Sequence, residues 1–205
     1  MSPRRRLALA AMLLVSLLLL GFARAAGLPA PADELAMTIV DAVQIHYPAQ
    51  AAGVTSVASV LHRAGDTGAL IATMLVLGLF LAYAGRPREV GWLLAAVMTV
   101  ILFNPALKAL FAEERPDLIP RVVEVTGHSF PSGHAAGTMA LYGAVALLFP
   151  GRLIWIACAA MILLTGASRV WLGVHWPTDV VAGWLEAAAW LLVMSIWLPR
   201  RERRA

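Results

Sequence analysis

Six apolar stretches, at residues 7–26, 68–84, 90–107, 133–149, 153–167 and 177–198, leave this chain one solvent to fold in. A membrane-spanning helix takes roughly 20 predominantly apolar residues. Inside lipid every backbone N–H and C=O must find a partner within the protein, so only helices and closed barrels cross. The stretches show no alternating apolar–polar pattern, so helices are expected. Of the 205 residues 60% are hydrophobic and only 14% are charged, against about 25% charged in soluble domains. So few charges cannot coat a core of this size. A disordered chain, a collagen and an ordinary soluble globule are excluded. The expected architecture is an all-α polytopic membrane bundle, a single domain over 1–205, with six transmembrane helices and short surface helices.

The first stretch also resembles a signal peptide, with Arg4, Arg5 and Arg6 before it and Ala23-Arg24-Ala25 at its end. It is longer than most signal-peptide cores, which favours an uncleaved helix. Residues 27–66 and 109–132 form the two long connections. The first holds an amphipathic segment at 51–63 and reads as a surface-lying piece over the bundle. The second is rich in charge, Pro and Gly. Cys158 is the single cysteine, which excludes an internal disulfide and a multi-cysteine metal site.

The net charge of +4 would suggest a nucleic-acid partner, but the positions of the charges speak against one. With the N-terminus in the cytoplasm, Arg4, Arg5, Arg6, Arg86, Arg88, Arg152, Arg200, Arg201, Arg203 and Arg204 all fall inside. These are topology anchors, and 199–205 reads as a basic cytoplasmic tail. The basic residues left outside are Arg24, Arg63, Lys108, Arg115, Arg121 and Arg169.

Three segments rich in reactive side chains meet on that outer face. They are Lys108 with Arg115-Pro116, then Pro131-Ser132-Gly133-His134, then Ser168-Arg169 followed by His175 and Asp179. Lys108, Arg115 and Arg169 supply cations, two of them with forked donors that match phosphate oxygens. Ser132 and Gly133 open a helix, where unpaired N–H groups and the helix dipole favour an anion. His175 and Asp179 are spaced for a carboxylate to orient an imidazole, leaving one ring nitrogen free to attack phosphorus. His134, from another helix, suits acid/base work. Positioning and electrostatics carry most of phosphoryl transfer, so this set needs no metal.

These three motifs, in this order and spacing, resemble the signature of the type 2 phosphatidic acid phosphatase superfamily, in its integral-membrane bacterial branch. The resemblance implies His175 as nucleophile, Asp179 as its partner and His134 as acid/base. It implies phosphate binding by Lys108, Arg115, Ser132, Gly133 and Arg169, and neither metal nor cofactor. The expected activity is a lipid phosphatase working through phosphohistidine at the outer face of the inner membrane, on a lipid phosphate that enters sideways. Undecaprenyl diphosphate is the first expected substrate. Phosphatidylglycerophosphate, phosphatidic acid and lipid A phosphates compete, as does transfer to an acceptor other than water. A non-enzymatic lipid-binding or transport protein on the same fold is the alternative from another class, but such a protein has no need of both His134 and His175. The motifs leave the oligomeric state open.

The remaining polar residues divide differently. Ser168 reads as a helix-end hydrogen bonder, and His46, His62 and His128 as histidines outside the chemistry. Asn104 is expected to satisfy backbone freed by Pro105. Trp171, Trp176 and Trp197 read as interfacial anchors, the first two placed where they could line a lipid entrance. Glu186 lies 11 residues past His175, about 16 Å deeper along a helix, and is expected to face the bundle interior.

Overall fold

The computed structural model describes residues 1–28 and 30–199. The arginines of the expected cytoplasmic tail, 200–204, lie outside the described residues. Eight helices follow in order: α1 (Pro3–Ala25), α2 (Pro31–His46), α3 (Pro48–Gly65), α4 (Thr67–Tyr83), α5 (Pro87–Phe111), α6 (Gly133–Leu148), α7 (Arg152–Trp171) and α8 (Pro177–Met194). A 3-10 turn at Ser195–Trp197 ends the last. No strand occurs among the described residues. Five helices, α1, α2, α3, α5 and α8, start with a proline in the first turn. Its missing N–H would have had no intrahelical partner there, and its fixed φ suits the helix.

Helix α6 is the central element, packed by α5, α7 and α8, while α1 lies along α8. The sequence explains this placement. Ala135, Ala136, Ala140 and Ala144 have no exposed surface, and such small side chains let neighbouring backbones approach closely. The tightest approach is at Gly183 of α8, where an added Cβ would stand 2.5 Å from Ser132 O and 3.0 Å from Ala136 N. Both obstacles are backbone, which cannot swing away. Gly183→Ala should therefore destabilise the protein by about 1–3 kcal/mol and depress activity with it, because Ser132 opens the helix that carries His134. Thermal unfolding in detergent checks this; an unchanged Tm would contradict the close packing.

Helices α1, α5 and α7 and the stretch Pro177–Trp197 are each long and apolar enough to cross a membrane. Helices α3 and α4 together form a fifth such stretch, bent by 62° at the break between them. Helix α6 has 16 residues and is shielded by its neighbours. Leu19, Leu79, Phe103 and Leu153, by contrast, are exposed on the outer surface, the belt that lipid covers. The protein is thus an all-helical multi-pass membrane protein.

Residues 27–66 pack over the bundle, as expected. They form α2 and α3, and α3 packs against α7 and runs through Asp66 into α4. The amphipathic pattern at 51–63 faces protein through Ala51 and Ala58.

The bundle has two chemically distinct ends. At one, Arg6 Nη1 donates to Ser195 O and, at 3.0 Å, to Ser195 Oγ, and Arg86 pairs with Glu89 while its guanidinium lies 5.0 Å from the Phe149 ring. These arginines belong to the set expected inside. At the other end, Arg24 joins three elements: it meets Glu113 at 2.6 Å, Asp33 at 3.5 Å and the Trp176 ring at 5.2 Å. The contact of α1 with α8 and this pairing make the first helix an integral part of the bundle.

Candidate active site

The end of α5, the start of α6, the end of α7 and the start of α8 converge at the Arg24 end, bringing all eight expected site residues into one region. A cavity of about 780 Å³ opens there. Lys108, Arg115, Gly133, His134, Arg169 and His175 all line it.

His175 is buried just before α8. Its Nδ1 is 3.2 Å from Asp179 Oδ2. Ser129 Oγ lies 3.2 Å from the same nitrogen and donates to Asp179 Oδ2. Asp179 Oδ2 also accepts from Trp176 N at 2.8 Å, which fixes the carboxylate at the helix start. On the far side of the ring, Arg115 Nη1 stands 3.3 Å from Nε2. A guanidinium can only donate. Nε2 therefore carries the lone pair, and the proton sits on Nδ1, donated to Asp179. Burial first, then the charges of Lys108, Arg115 and Arg169, hold the imidazole well below its ordinary pKa of 6.5. The ring is neutral, with a nitrogen lone pair turned toward the cations.

Those cations rest on main-chain carbonyls. Lys108 Nζ donates to His128 O at 2.7 Å and Ser129 O at 3.0 Å. Arg115 donates to Gly127 O, Val174 O and Thr126 O at 2.8–3.0 Å. Arg169 differs. It is fully buried, and its Nε and Nη2 have no hydrogen-bond partner among the described residues. Among the described residues its polar contact runs from Nη1 to His62 Nδ1 at 2.8 Å. A buried guanidinium with no carboxylate in ion-pair contact among the described residues carries a large electrostatic cost; Asp66 acts on it only from a distance, and an anion in the cavity would offset the rest.

Gly133 lies on the lining, with Asn104 Oδ1 3.0 Å from where its Cβ would be. A side chain there would press on Asn104 of α5. Ser132 sits behind the lining. Its N–H donates to Asp179 O at 2.9 Å and its Oγ accepts from Ala135 N at 3.4 Å, so its visible bonds join α6 to α8.

Sequence reasoning missed four members of this region. Ser129 orients the His175–Asp179 pair, as above. Asn104 was expected to serve the backbone at Pro105; instead its Nδ2 donates to Glu186 Oε2 at 2.8 Å and it lines the cavity. Glu186 faces the interior, as expected, and Asn104 is the reason it can. His62, read as outside the chemistry, stacks on His134 with ring centroids 5.0 Å apart. Asp66, at the α3–α4 bend, lies 3.0 Å from His134 Nε2. A signal for the last two was present: His62 and Asp66 sit four apart where the amphipathic stretch ends.

His62, Asp66 and His134 are also the group among the described residues whose ligand atoms lie close enough to hold a metal ion, within 4.8 Å of one another. Arg169 Nη1 points into the same cluster, 2.8 Å from His62 Nδ1, and its positive charge disfavours a dication there.

Other residues take ordinary places. Ser168 Oγ donates to Thr165 O at 2.7 Å, a helix-end bond as expected. His46 bonds Ala42 O within its own helix, and His128 contributes its carbonyl rather than its ring. Trp171 and Trp176 do not line the cavity. Their indole N–H groups donate to Thr55 Oγ1 and Glu114 O, which ties α7 and the α8 entry to α3 and the 109–132 connection. Trp197 is exposed, in keeping with an anchor.

A buried histidine–carboxylate pair, three cations and a helix start around one cavity at the end of a membrane bundle define a phosphate-handling membrane protein. A family model described as PAP2 superfamily matches residues 89–203. The chain belongs to that superfamily. It is 31% identical over 188 residues to a lipid A 1-phosphatase of Rhizobium etli, covering 80% of this chain and 79% of the relative. It is 34% identical over 118 residues to an undecaprenyl-diphosphatase of Sulfolobus acidocaldarius, spanning 54% of this chain and 56% of that one, little more than half the relative's length. The fold matches the crystal structure of a transmembrane PAP2-type phosphatidylglycerolphosphate phosphatase from Bacillus subtilis, with a TM-score of 0.81 over 96% of this chain and 98% of that one, at 23% identity.

Proposed function

We propose that this protein is a metal-independent lipid phosphatase that removes a phosphate or diphosphate headgroup through a phosphohistidine intermediate. The observation that carries the reading is the His175 tautomer. Asp179 and Ser129 take up Nδ1, so Nε2 presents its lone pair beside Lys108, Arg115 and Arg169. In the first step Nε2 attacks phosphorus while His134 protonates the departing oxygen. In the second, His134 takes a proton from water as the P–N bond breaks. Lys108, Arg115, Arg169 and the N–H group at Gly133 hold the phosphoryl oxygens, and Ser132, bonded to α8, keeps that helix start in place. Helices α1, α4, α5, α6, α7 and α8 are six membrane crossings, both chain ends are cytoplasmic, and the site faces outward. Residues 108–179 carry the chemistry of a single membrane domain.

Undecaprenyl diphosphate is the first substrate in this reading, supported by outward placement and by the relative of that name. A lipid A 1-phosphate is the second, favoured because that likeness extends over 80% of the chain. The test is phosphate release by purified protein from a panel of polyprenyl diphosphate, lipid A, phosphatidylglycerophosphate and phosphatidic acid in mixed micelles. Release from at least one, undiminished by EDTA, is expected. No release from any, or full loss with EDTA, overturns the reading.

The displaced pKa of His175 gives a pH prediction. The free enzyme needs the neutral ring, and kcat/KM reports the free enzyme. A nucleophile held below 6.5 stays neutral as the pH falls through 6.5, so the acid limb of kcat/KM lies below that value. Lys108→Met removes one of the charges that depress it and should move the limb upward. An acid limb at or above 6.5 in the unmodified protein contradicts the assignment.

A further inference from the structure

His134 makes an arrangement of its own that the proposed chemistry has not used. Its Nε2 is surrounded by acceptors: Asp66 Oδ1 at 3.0 Å, the His62 carbonyl at 3.2 Å and His62 Nδ1 at 3.1 Å. His62 Nδ1 is itself an acceptor, because Arg169 Nη1 donates to it at 2.8 Å. Three acceptors around one nitrogen require that nitrogen to carry the proton. Nδ1 of His134 is then the nitrogen that exchanges protons with substrate and water. His175 shows the mirror arrangement, with Nδ1 bound to its aspartate and Nε2 left to react.

We propose that Asp66 is a positioning residue for His134, forming a second histidine–aspartate pair across the cavity from His175 and Asp179, with His62 joining this pair to Arg169. The inference rests on the phosphatase reading above. Asp66 fixes the tautomer and favours the imidazolium that His134 must become before it can protonate a leaving oxygen. In the first step the Nδ1 proton passes to the alkoxide as the P–O bond breaks and the bond from His175 Nε2 to phosphorus forms. In the second step Nδ1 accepts a proton from water, whose oxygen bonds phosphorus as the P–N bond breaks. The products are an alcohol and inorganic phosphate, and His134 and His175 end as they began. His62 has a separate task. Its ring stacks on His134 at an interplanar angle of 24°, and its Nδ1 receives the contact from Arg169 Nη1. Phosphate bound at Arg169 and the proton donor are thereby held in a fixed relation.

The location suits the role. Asp66 stands at the 62° bend between α3 and α4, half exposed at the cavity mouth. It makes no side-chain cap for α4, so Asp66→Asn removes the charge without removing a helix cap. Close packing at Gly65, where a Cβ would meet His134 Cδ2 at 2.9 Å, keeps α3 against the ring.

The test compares two leaving groups in full-length purified protein. A dialkyl-glycerol phosphate monoester departs as an alkoxide and needs the proton. p-Nitrophenyl phosphate departs as a stabilised phenolate and does not. Asp66→Asn should lower kcat on the lipid monoester by about 10²-fold, lower it much less on p-nitrophenyl phosphate, and leave KM within about threefold. With the carboxylate gone, the His134 imidazolium loses its proton more readily, so the basic limb of the kcat profile moves to lower pH. Asp66→Glu should recover part of the loss. Equal losses on both substrates, or an unmoved basic limb, overturn the inference while leaving the phosphatase reading intact. If the unmodified protein releases phosphate from neither substrate nor from the lipid panel, the reading it rests on fails first. A Tm of Asp66→Asn within a few degrees of the unmodified protein separates the chemical loss from misfolding.

Discussion

His175→Ala is expected to lower kcat on the best lipid phosphate by about 10⁴-fold or more, with binding of inorganic phosphate largely retained. The size follows from the assigned role. Removing the nucleophile of a two-step transfer eliminates the covalent route and leaves only what positioning and charge supply. Lys108, Arg115 and Arg169 remain, and Arg115 gives up only its 3.3 Å contact with the imidazole. Lys108 and Arg115 rest on the carbonyls of His128, Ser129, Gly127, Val174 and Thr126. Phosphate should accordingly still raise the Tm of the variant. Trapping is the direct check: acid-quenched unmodified protein with ³²P-labelled lipid retains label on a histidine, and His175→Ala retains none. Steady turnover by the variant within tenfold of the original would remove His175 from the nucleophile role. Asp179→Asn should act on the same nitrogen by a different route. It exchanges an acceptor-only carboxylate for an amide that can donate to Nδ1, which would shift the ring proton to Nε2 and block the attack.

The reach of the sequence followed the range of the interactions. Apolar runs depend only on local composition, so α1, α4, α5, α6, α7 and α8 were legible within a few residues. The eight candidate site residues were legible as a group because each motif keeps its members close in sequence, at a helix end or in the connection beside it. What escaped was what depends on the packing of distant segments. His62 and Asp66 reach His134 across 72 and 68 residues; their four-residue spacing shows a pair on one helix face but not what that face meets. Asn104 and Glu186 were each flagged alone, as a proline neighbour and as a costly carboxylate, yet each explains the other across 82 residues. The bend at Asp66 lies between Gly65 and Gly68, but those glycines alone do not set its direction. It follows from the packing of α3 on α7, which a linear reading of 27–66 could not supply.

Arg169→Met is expected to make the ligand-free protein more stable while removing its activity. The guanidinium is fully buried, and its Nε and Nη2 lack partners among the described residues. Replacing a buried ion pair with apolar residues of similar volume is often neutral or gains about 1–4 kcal/mol, and a cation without an ion-pair partner has less attraction to lose. Arg169 forgoes that gain, and it loses only a contact with His62 when removed. Sites that bind an anion must hold an uncompensated cation until the anion arrives, and the cost falls on the empty state. Binding should reverse the order of stability. Orthovanadate or phosphate at about a hundred times its Kd adds about 2.7 kcal/mol to whichever protein binds it. The unmodified protein should therefore rise in Tm with added phosphate, and Arg169→Met should start higher and stay flat. Its kcat/KM should fall at least about 10³-fold, equivalent to roughly 4 kcal/mol of transition-state stabilisation. A variant that unfolds earlier than the original and still gains stability from phosphate would place the anion elsewhere. Arg169→Lys gives a finer reading of the same point. It keeps the charge but loses the forked donors that match phosphate oxygens, so it should recover phosphate-dependent stabilisation in part and turnover hardly at all.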